Sequence, residues 1–223
     1  MKLLKGSDVA KTIKQQISND IKELNNIRKF PRLCIIRLGN DPSDISYEKS
    51  IIKNCNTLGI NTNVIELDLD IETDDLVNTI EDLNKDESIS GVLIFRPLPK
   101  HIDEGKISMS INPSKDIDCM HPLNLEKIFA GDDTGFAPCT PKAAMEILLH
   151  NEIQLEGKNV VIINRSLVVG KPLAMMLLKE NATVTICHSR TKNLSEITRN
   201  ADIVMTALGK ANFLDDSYFN EDS

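Results

Sequence analysis

The residues with the clearest chemical meaning run from Asn164 to Pro172, Asn-Arg-Ser-Leu-Val-Val-Gly-Lys-Pro, between an apolar stretch ending at Ile163 and a helical pattern. A turn between a strand and a helix aims backbone N–H groups and the positive helix end at an anion, which is how dinucleotide phosphates are held. Asn164 stands where the first glycine of Gly-x-Gly-x-x-Gly is expected, and Asn tolerates left-handed backbone. On these residues alone an ordinary strand-to-helix turn fits equally well. A second group, His188-Ser189-Arg190-Thr191, closes the next strand. Enzymes that use the cofactor without a 2′-phosphate place Asp or Glu there to accept from the ribose hydroxyl, and here donors replace the acceptor. Arg165 and Arg190 can pair with a 2′-phosphate and Ser189 can donate to it, so NADP is favoured if a dinucleotide binds. Taken singly, each arginine reads equally well as a solvated surface charge.

The elements that must position these residues follow from hydrophobic periodicity. Val9, Ile13, Ile17, Ile21 and Leu24 recur at helical spacing after the capping residue Ser7, which predicts an amphipathic helix over 8–26. Leu33 to Ile36, Asn63 to Leu67 and Ile89 to Phe95 read as strands, and 43–58 and 73–84 as the helices between them. Alternation of this kind predicts a mostly parallel sheet. A second series starts after Gly157: strand Val160 to Ile163, a helix from about Val169 to Glu180, strand Thr183 to Cys187, a short helix near 193–199, and strand Ile203 to Ala207. A helix over 141–151 is expected to start at Pro141. The segment 99–140, rich in Asp, Gly and Pro, reads as irregular connection, in which Asp132-Asp133-Thr134-Gly135 fits a plain solvated turn. The expected fold class is α/β with two α/β domains, residues 1–145 and 146–223.

Composition narrows the function. The chain has 223 residues, one large or two small domains at about 150 residues each. With 26 basic and 33 acidic residues its net charge is −7, which counts against a general nucleic-acid or anionic-membrane surface and makes any phosphate site local. No apolar stretch approaches the about 20 residues that cross a bilayer. The N-terminus, Met1-Lys2-Leu3-Leu4-Lys5, becomes charged at once and lacks the apolar core of a secretory signal, so a cytoplasmic location is expected. The five cysteines form no Cys-x-x-Cys pair and their odd number fits poorly with a disulfide framework, so they are expected to be reduced. No pair of cysteines has metal-ligand spacing and the four histidines are dispersed, which argues against a structural metal.

Four segments stand out together: Leu38-Gly39-Asn40-Asp41-Pro42-Ser43 leading to Tyr47; Gly91 through Phe95-Arg96-Pro97-Leu98-Pro99; Pro113-Ser114-Lys115-Asp116-Ile117-Asp118 with Pro138-Cys139-Thr140-Pro141; and Arg165-Ser166 with Val169-Gly170-Lys171-Pro172. In order and spacing they resemble the bifunctional methylenetetrahydrofolate dehydrogenase/cyclohydrolase family. The match extends to about Gly209. The resemblance implies an N-terminal domain and a Rossmann-like NADP-binding domain flanking a cleft for folate. It implies oxidation of the methylene bridge with NADP, then hydrolysis of the methenyl product to formyl-tetrahydrofolate, and a homodimer. Tyr47 matches the family's folate-stacking tyrosine, with a helix core residue as the plainer alternative. Asp118 matches the acid that grips the pterin end, with a turn-forming Asp as its alternative. Arg96, Pro97 and Leu98 fall in the substrate stretch. Asn164, Arg165, Ser166, Gly170, Ser189, Arg190 and Thr191 fall in the cofactor segments.

Ile51, Phe95 and Cys119 depart from the pattern. The family's catalytic lysine lies four residues after the tyrosine, where this chain has Ile51. Lys49 and Lys53 are each two residues away, about 200° around a helix. Phe95 replaces the glutamine of the family's Val-Gln-Leu-Pro-Leu-Pro stretch, so two polar partners have become apolar side chains that can pack together. Cys119 replaces a glycine after the acid. The family's Pro-Gly-Gly-Val-Gly-Pro-Met-Thr segment does not occur, so the second domain reads as incomplete at its C-terminus. Hydride transfer depends chiefly on positioning and is expected to survive, whereas hydrolysis needs proton handling that Ile51 does not offer. Cyclohydrolase activity is therefore expected to be weak or lost. A catalytically lapsed paralogue, serving as a nucleotide-binding or structural partner subunit, and an NAD(P)-dependent oxidoreductase of unrelated substrate stay open as alternatives.

Overall fold

The computed structural model describes residues 3–210 and 212–220. It divides into two compact units, one of Ser7–Asn124 and one from Leu125 onward together with the residues before Ser7. The expected division near residue 145 is displaced because the helix there belongs with the second sheet. Met145 packs in one apolar cluster with Val160, Ile162, Leu173 and Leu177.

In the first unit, β1 (Arg32–Leu38), β2 (Asn61–Leu67) and β3 (Gly91–Ile94) form a parallel sheet in the order β2-β1-β3. Ile36 stands opposite both Ile65 and Ile94. The middle strand is buried from Cys34 to Leu38, which explains why its apolar residues form a run rather than alternating. Helices α1 (Gly6–Asn26), α2 (Pro42–Leu58) and α3 (Thr73–Lys85) match the periodicity. Leu76, Ile80 and Leu83 of α3 close over Cys34, Ile36 and Ile94.

The irregular connection expected over 99–140 is corrected by two short helices, α4 (Glu104–Ser110) and α5 (Pro122–Ala130). Each fully buries one residue, Ile107 in α4 and Asn124 in α5, too few to leave a periodic signal. Asp132 to Gly135 does hold a turn, in which the Asp132 carboxylate accepts from the Thr134 amide at 2.8 Å.

The second unit repeats the plan. β4 (Asn159–Ile163), β5 (Thr183–Cys187) and β6 (Ile203–Thr206) form a parallel sheet in the order β5-β4-β6. Helices α6 (Cys139–His150) and α7 (Gly170–Lys179) supply apolar side chains to one core cluster, and α8 (Leu194–Arg199) packs Leu194 and Ile197 on Val161 and Ile163. Helix α6 starts at Cys139, two residues before the expected Pro141. A proline anywhere in the first turn costs no intrahelical bond, because those N–H groups have no helical partner.

Periodicity alone does not single out Arg37, which is 2% exposed on the middle strand of the first sheet. Its Nε donates to Glu48 on α2 at 2.7 Å, its Nη2 pairs with Glu66 on β2 at 3.0 Å, and its Nη1 donates to the Gly39 carbonyl and to Asn40. Breaking one side of a buried ion pair leaves a charge without its partner and costs about 3–5 kcal/mol. Glu48→Leu is expected to destabilise the chain by that amount. Adding Arg37→Met should recover a large share of the loss. Denaturant unfolding of the single and double variants measures both, and additive losses would contradict the pairing.

Candidate functional site

Two sets of residues lie at the C-terminal ends of the parallel strands, where open α/β sheets bind ligands. In the first unit α2 carries Tyr47 and Ile51. The helix is fixed at its start by Asp41, whose carboxylate accepts from the Ser43 amide at 2.8 Å, and at its end by Gly59 at φ 81°. The Ser43 bonds hold the Asp41 carboxyl below the usual carboxylate range. The Leu38 to Ser43 motif therefore works as the entry to this helix, with Pro42 at a favoured first position.

Tyr47 is 58% exposed, which rules out the core-residue alternative. Its ring lies 5.3 Å from that of Phe95, tilted by 34°. Phe95 is buried, and its amide extends the β3 pairing by donating to the Ile36 carbonyl at 3.0 Å. Ile51, one turn beyond Tyr47, is half-buried, while Lys49 and Lys53 are exposed. The sequence pattern suggests Ile51 as the packing partner of Phe95, and the structure pairs its ring with Tyr47.

The chain leaves Phe95 through Arg96 and a cis bond to Pro97. The Arg96 Nη2 donates to an Asp118 carboxylate oxygen at 2.7 Å and lies 3.4 Å from the Asp118 carbonyl. Pro97 is exposed and Leu98 packs at the edge of the first core.

The loop that carries Asp118 is held by its neighbour Asp116, which is buried. Asp116 accepts from the Met120 amide at 2.9 Å, the His121 amide at 2.8 Å and the Asn124 side chain at 2.8 Å. Cys119 lies inside this loop at φ 56°, the left-handed region where glycine sits without strain, so a glycine at this place has a conformational reason. Burial, followed by the charges of Asp116 and Asp118, pushes the Cys119 thiol up to about 12, so it stays protonated and poorly nucleophilic at neutral pH.

In the second unit Asn164 follows β4. Its side-chain oxygen accepts from the Ser166 amide and hydroxyl, both at 2.8 Å, and from the Gly170 amide at 3.1 Å. Its side-chain nitrogen donates to the Ala207 carbonyl at 2.7 Å, tying the loop to the end of β6. Asn164 is not among the residues with positive φ, so its value lies in these bonds and not in left-handed backbone. Gly170 has no room for a side chain, since a Cβ there would stand 2.0 Å from the Asn164 carbonyl oxygen. Ile163 pairs with Cys187, so the loop starting at Asn164 and the one starting at His188 leave adjacent strand ends.

The expectation that the start of α7 aims its N–H groups at an anion needs correcting. The amides of Ser166, Val169, Gly170 and Lys171 are all taken inside the loop. Thr191 is also committed internally, its hydroxyl accepting from the His188 amide at 2.8 Å. Among the exposed side chains of these two loops are Arg165, Ser189 and Arg190, with Leu167, Lys171 and Lys192 exposed beside them.

Residues 4–118 match the family model of the tetrahydrofolate dehydrogenase/cyclohydrolase catalytic domain, and residues 138–223 that family's NAD(P)-binding domain. The chain belongs to this family. A bifunctional protein FolD of Clostridium botulinum (strain Langeland / NCTC 10281 / Type F) is 56% identical over 222 residues, covering 100% of this chain and 79% of that relative. Bifunctional protein FolD 1 of Desulfitobacterium hafniense (strain Y51) is 51% identical, covering 99% and 79%. The crystal structure of the bifunctional FolD dehydrogenase/cyclohydrolase of Campylobacter jejuni superposes with a TM-score of 0.96 at 40% identity, covering 99% of this chain and 78% of that one. The Trypanosoma brucei FolD, solved with NADP and an inhibitor, gives 0.87 at 30% identity, covering 94% and 72%.

Within the family's NAD(P)-binding domain the donor set fits a phosphorylated dinucleotide. A glycine-dependent close approach shapes the loop after β4, and the exposed groups beside it include the guanidiniums of Arg165 and Arg190, the Ser189 hydroxyl and the Lys171 ammonium. Sequence reasoning missed Arg37, Glu48, Asn124 and the anchoring role of Asp116. The one signal that could have found them was a charge at position 37 inside the apolar run from Leu33 to Leu38, which has to find a partner when buried.

Gly170→Ala is expected to displace the loop after β4, lower the melting temperature and weaken NADP binding at least about tenfold. Thermal unfolding and calorimetric titration check this, and unaltered NADP affinity would show that the close approach is not needed.

Proposed function

We propose that the chain oxidises 5,10-methylenetetrahydrofolate to 5,10-methenyltetrahydrofolate with NADP, and that its hydrolysis to 10-formyltetrahydrofolate is weak or lost. The observation that carries this reading is the pairing of Tyr47 with Phe95 beside Ile51, an apolar surface where the family pattern has a lysine and a glutamine. The resemblance also implies a homodimer.

Tyr47 supplies an exposed ring face against which a flat pterin can stack. Asp118 accepts N–H bonds from the pyrimidinone end and so fixes the orientation of the bridging carbon. Arg165, Ser189 and Arg190 hold the 2′-phosphate end of the cofactor, while Asn164, Ser166, Gly170 and Thr191 shape the loops that carry them. NADP, when bound, supplies the acceptor for the hydride leaving the methylene carbon. Holding the reacting groups in place is the larger share of this step, and it requires no proton transfer from residue 51.

Hydrolysis differs because water must lose a proton as it attacks, and a positioned acid–base group contributes typically 10²–10⁴-fold. Ile51 and Phe95 carry no such group.

The dehydrogenase rate is expected to exceed the cyclohydrolase rate by at least about 10²-fold. Spectroscopic assays of methenyl formation and decay on the same sample measure both, and comparable rates would refute the argument from Ile51. Ile51→Lys combined with Phe95→Gln is expected to raise hydrolysis about tenfold or more. Failure of NADP and a folate analogue to bind in calorimetry would leave only a structural role.

Arg190→Ala is expected to reduce the preference for NADP over NAD by about tenfold or more, read as the ratio of kcat/KM values, because a guanidinium–phosphate bond is lost only with NADP. An unchanged ratio would assign the 2′-phosphate to other groups.

A further inference from the structure

The Arg96–Asp118 pair has more donor capacity than the protein uses. The Arg96 side chain is only 17% exposed, yet it meets Asp118 end-on through a single nitrogen, Nη2. A guanidinium carries five N–H donors. Among the described residues Asp118 is its only hydrogen-bond partner, and no buried side-chain nitrogen lacks a partner, so the Nε and Nη1 donors reach solvent. A mostly buried arginine held by one nitrogen offers the others to a ligand at the same place as the carboxylate. The position is also distinctive, because the Val-Gln-Leu-Pro-Leu-Pro stretch that this segment resembles has a leucine where the chain has Arg96.

The pyrimidinone edge of a pterin presents three groups in a row: the 2-amino N–H, the N3–H and the 4-oxo oxygen. A carboxylate complements the first two. Only a donor beside it complements the third. Resting on the folate reading above, we infer that Arg96 and Asp118 read this edge together, Asp118 accepting from the two N–H groups and Arg96 donating to the 4-oxo oxygen. Arg96 is then a specificity-determining residue that separates 4-oxo from 4-amino pteridines. A 4-amino group turns a donor toward the guanidinium, and a site built around a hydrogen bond discriminates strongly when that bond cannot form. The buried Asp116 anchor supports this role by holding the Asp118 loop in a fixed position.

Folic acid and aminopterin differ in the group at pteridine C4 and serve as probes. Calorimetric titration of each into the full chain, unaltered and as Arg96→Leu, gives the ratio of their affinities. Arg96→Leu is expected to weaken folic acid by about 10–100-fold, as loss of a charged hydrogen bond does, while leaving aminopterin within about threefold or tighter. Arg96→Lys, which keeps a cationic donor, should restore some of the folic acid affinity. Because both probes are measured on one variant, their ratio is insensitive to general damage, and Arg96→Met provides the same comparison if the leucine variant does not fold. Binding of both probes with a ratio unchanged by either variant overturns the role of Arg96 and leaves the folate reading standing. No binding of either probe to the unaltered chain overturns both.

Discussion

A guanidinium buried in the middle strand of a parallel sheet cannot stay there without partners, and the Arg37 bonds to Glu48 and Glu66 therefore fix where α2 lies on that sheet. Glu48 adjoins Tyr47 in sequence. A helix pinned through Glu48 must present Tyr47 at one rotation, and that rotation sets the ring 5.3 Å from Phe95 at the end of β3. The caps at Asp41 and Gly59 fix the ends of the same helix. A purely apolar contact would allow α2 to turn or slide by small steps at little cost. A directional bond at 2.7 Å does not, because turning the helix would pull a buried cation away from a buried anion.

A similar constraint governs the loops. In the second unit the Asn164 amide takes three donors of its own loop and gives one bond to the end of β6. In the first unit the Asp116 carboxylate takes three donors of the segment that follows it. One polar side chain in each case substitutes for the regular pairing that an irregular segment lacks, and so satisfies buried backbone groups. The accepting oxygens of these side chains are then already taken by the protein's own donors. The side chains that the proposed function gives to ligands, Arg165, Ser189 and Arg190 in one unit and Arg96 in the other, lie outside these loop-holding bonds. On the proposed function, loop rigidity and ligand contact are thus divided between different residues.

This division explains what the sequence disclosed. β1 was legible because a strand covered on both faces leaves an unbroken apolar run, and α3 because Leu76, Ile80 and Leu83 keep one face. The loops that follow β4 and β5 were legible in position because each leaves the end of a readable strand. The helices α4 and α5 were not legible, since each buries a single side chain. The role of Asn164 was legible in position but not in kind, because hydrogen bonds between residues two and six apart depend on a loop shape that composition does not encode. Arg37 and Glu48 lie 11 residues apart on different elements, and their pairing becomes visible only when α2 is packed on the sheet. The Tyr47–Phe95 contact spans a still longer stretch of chain and depends on the β2-β1-β3 order.

On the folate reading, the placement of charge follows a single logic. Removing a hydride from the methylene carbon leaves a cation shared between that carbon and its two nitrogens. An ammonium at position 51 would repel this developing charge, and the hydrocarbon of Ile51 does not. The same ammonium would help to polarise and deprotonate attacking water, and Ile51 does neither. On the proposed function, one substitution therefore bears on both steps, leaving the formation of the methenyl cation unopposed and slowing its hydrolysis. Phe95 adds to the second effect by filling with hydrocarbon the place of a side chain able to hold water. The positive charge that the site retains, on Arg96, is bonded to the Asp118 carboxylate and so neutralised at the pyrimidinone end, where it opposes the product cation least.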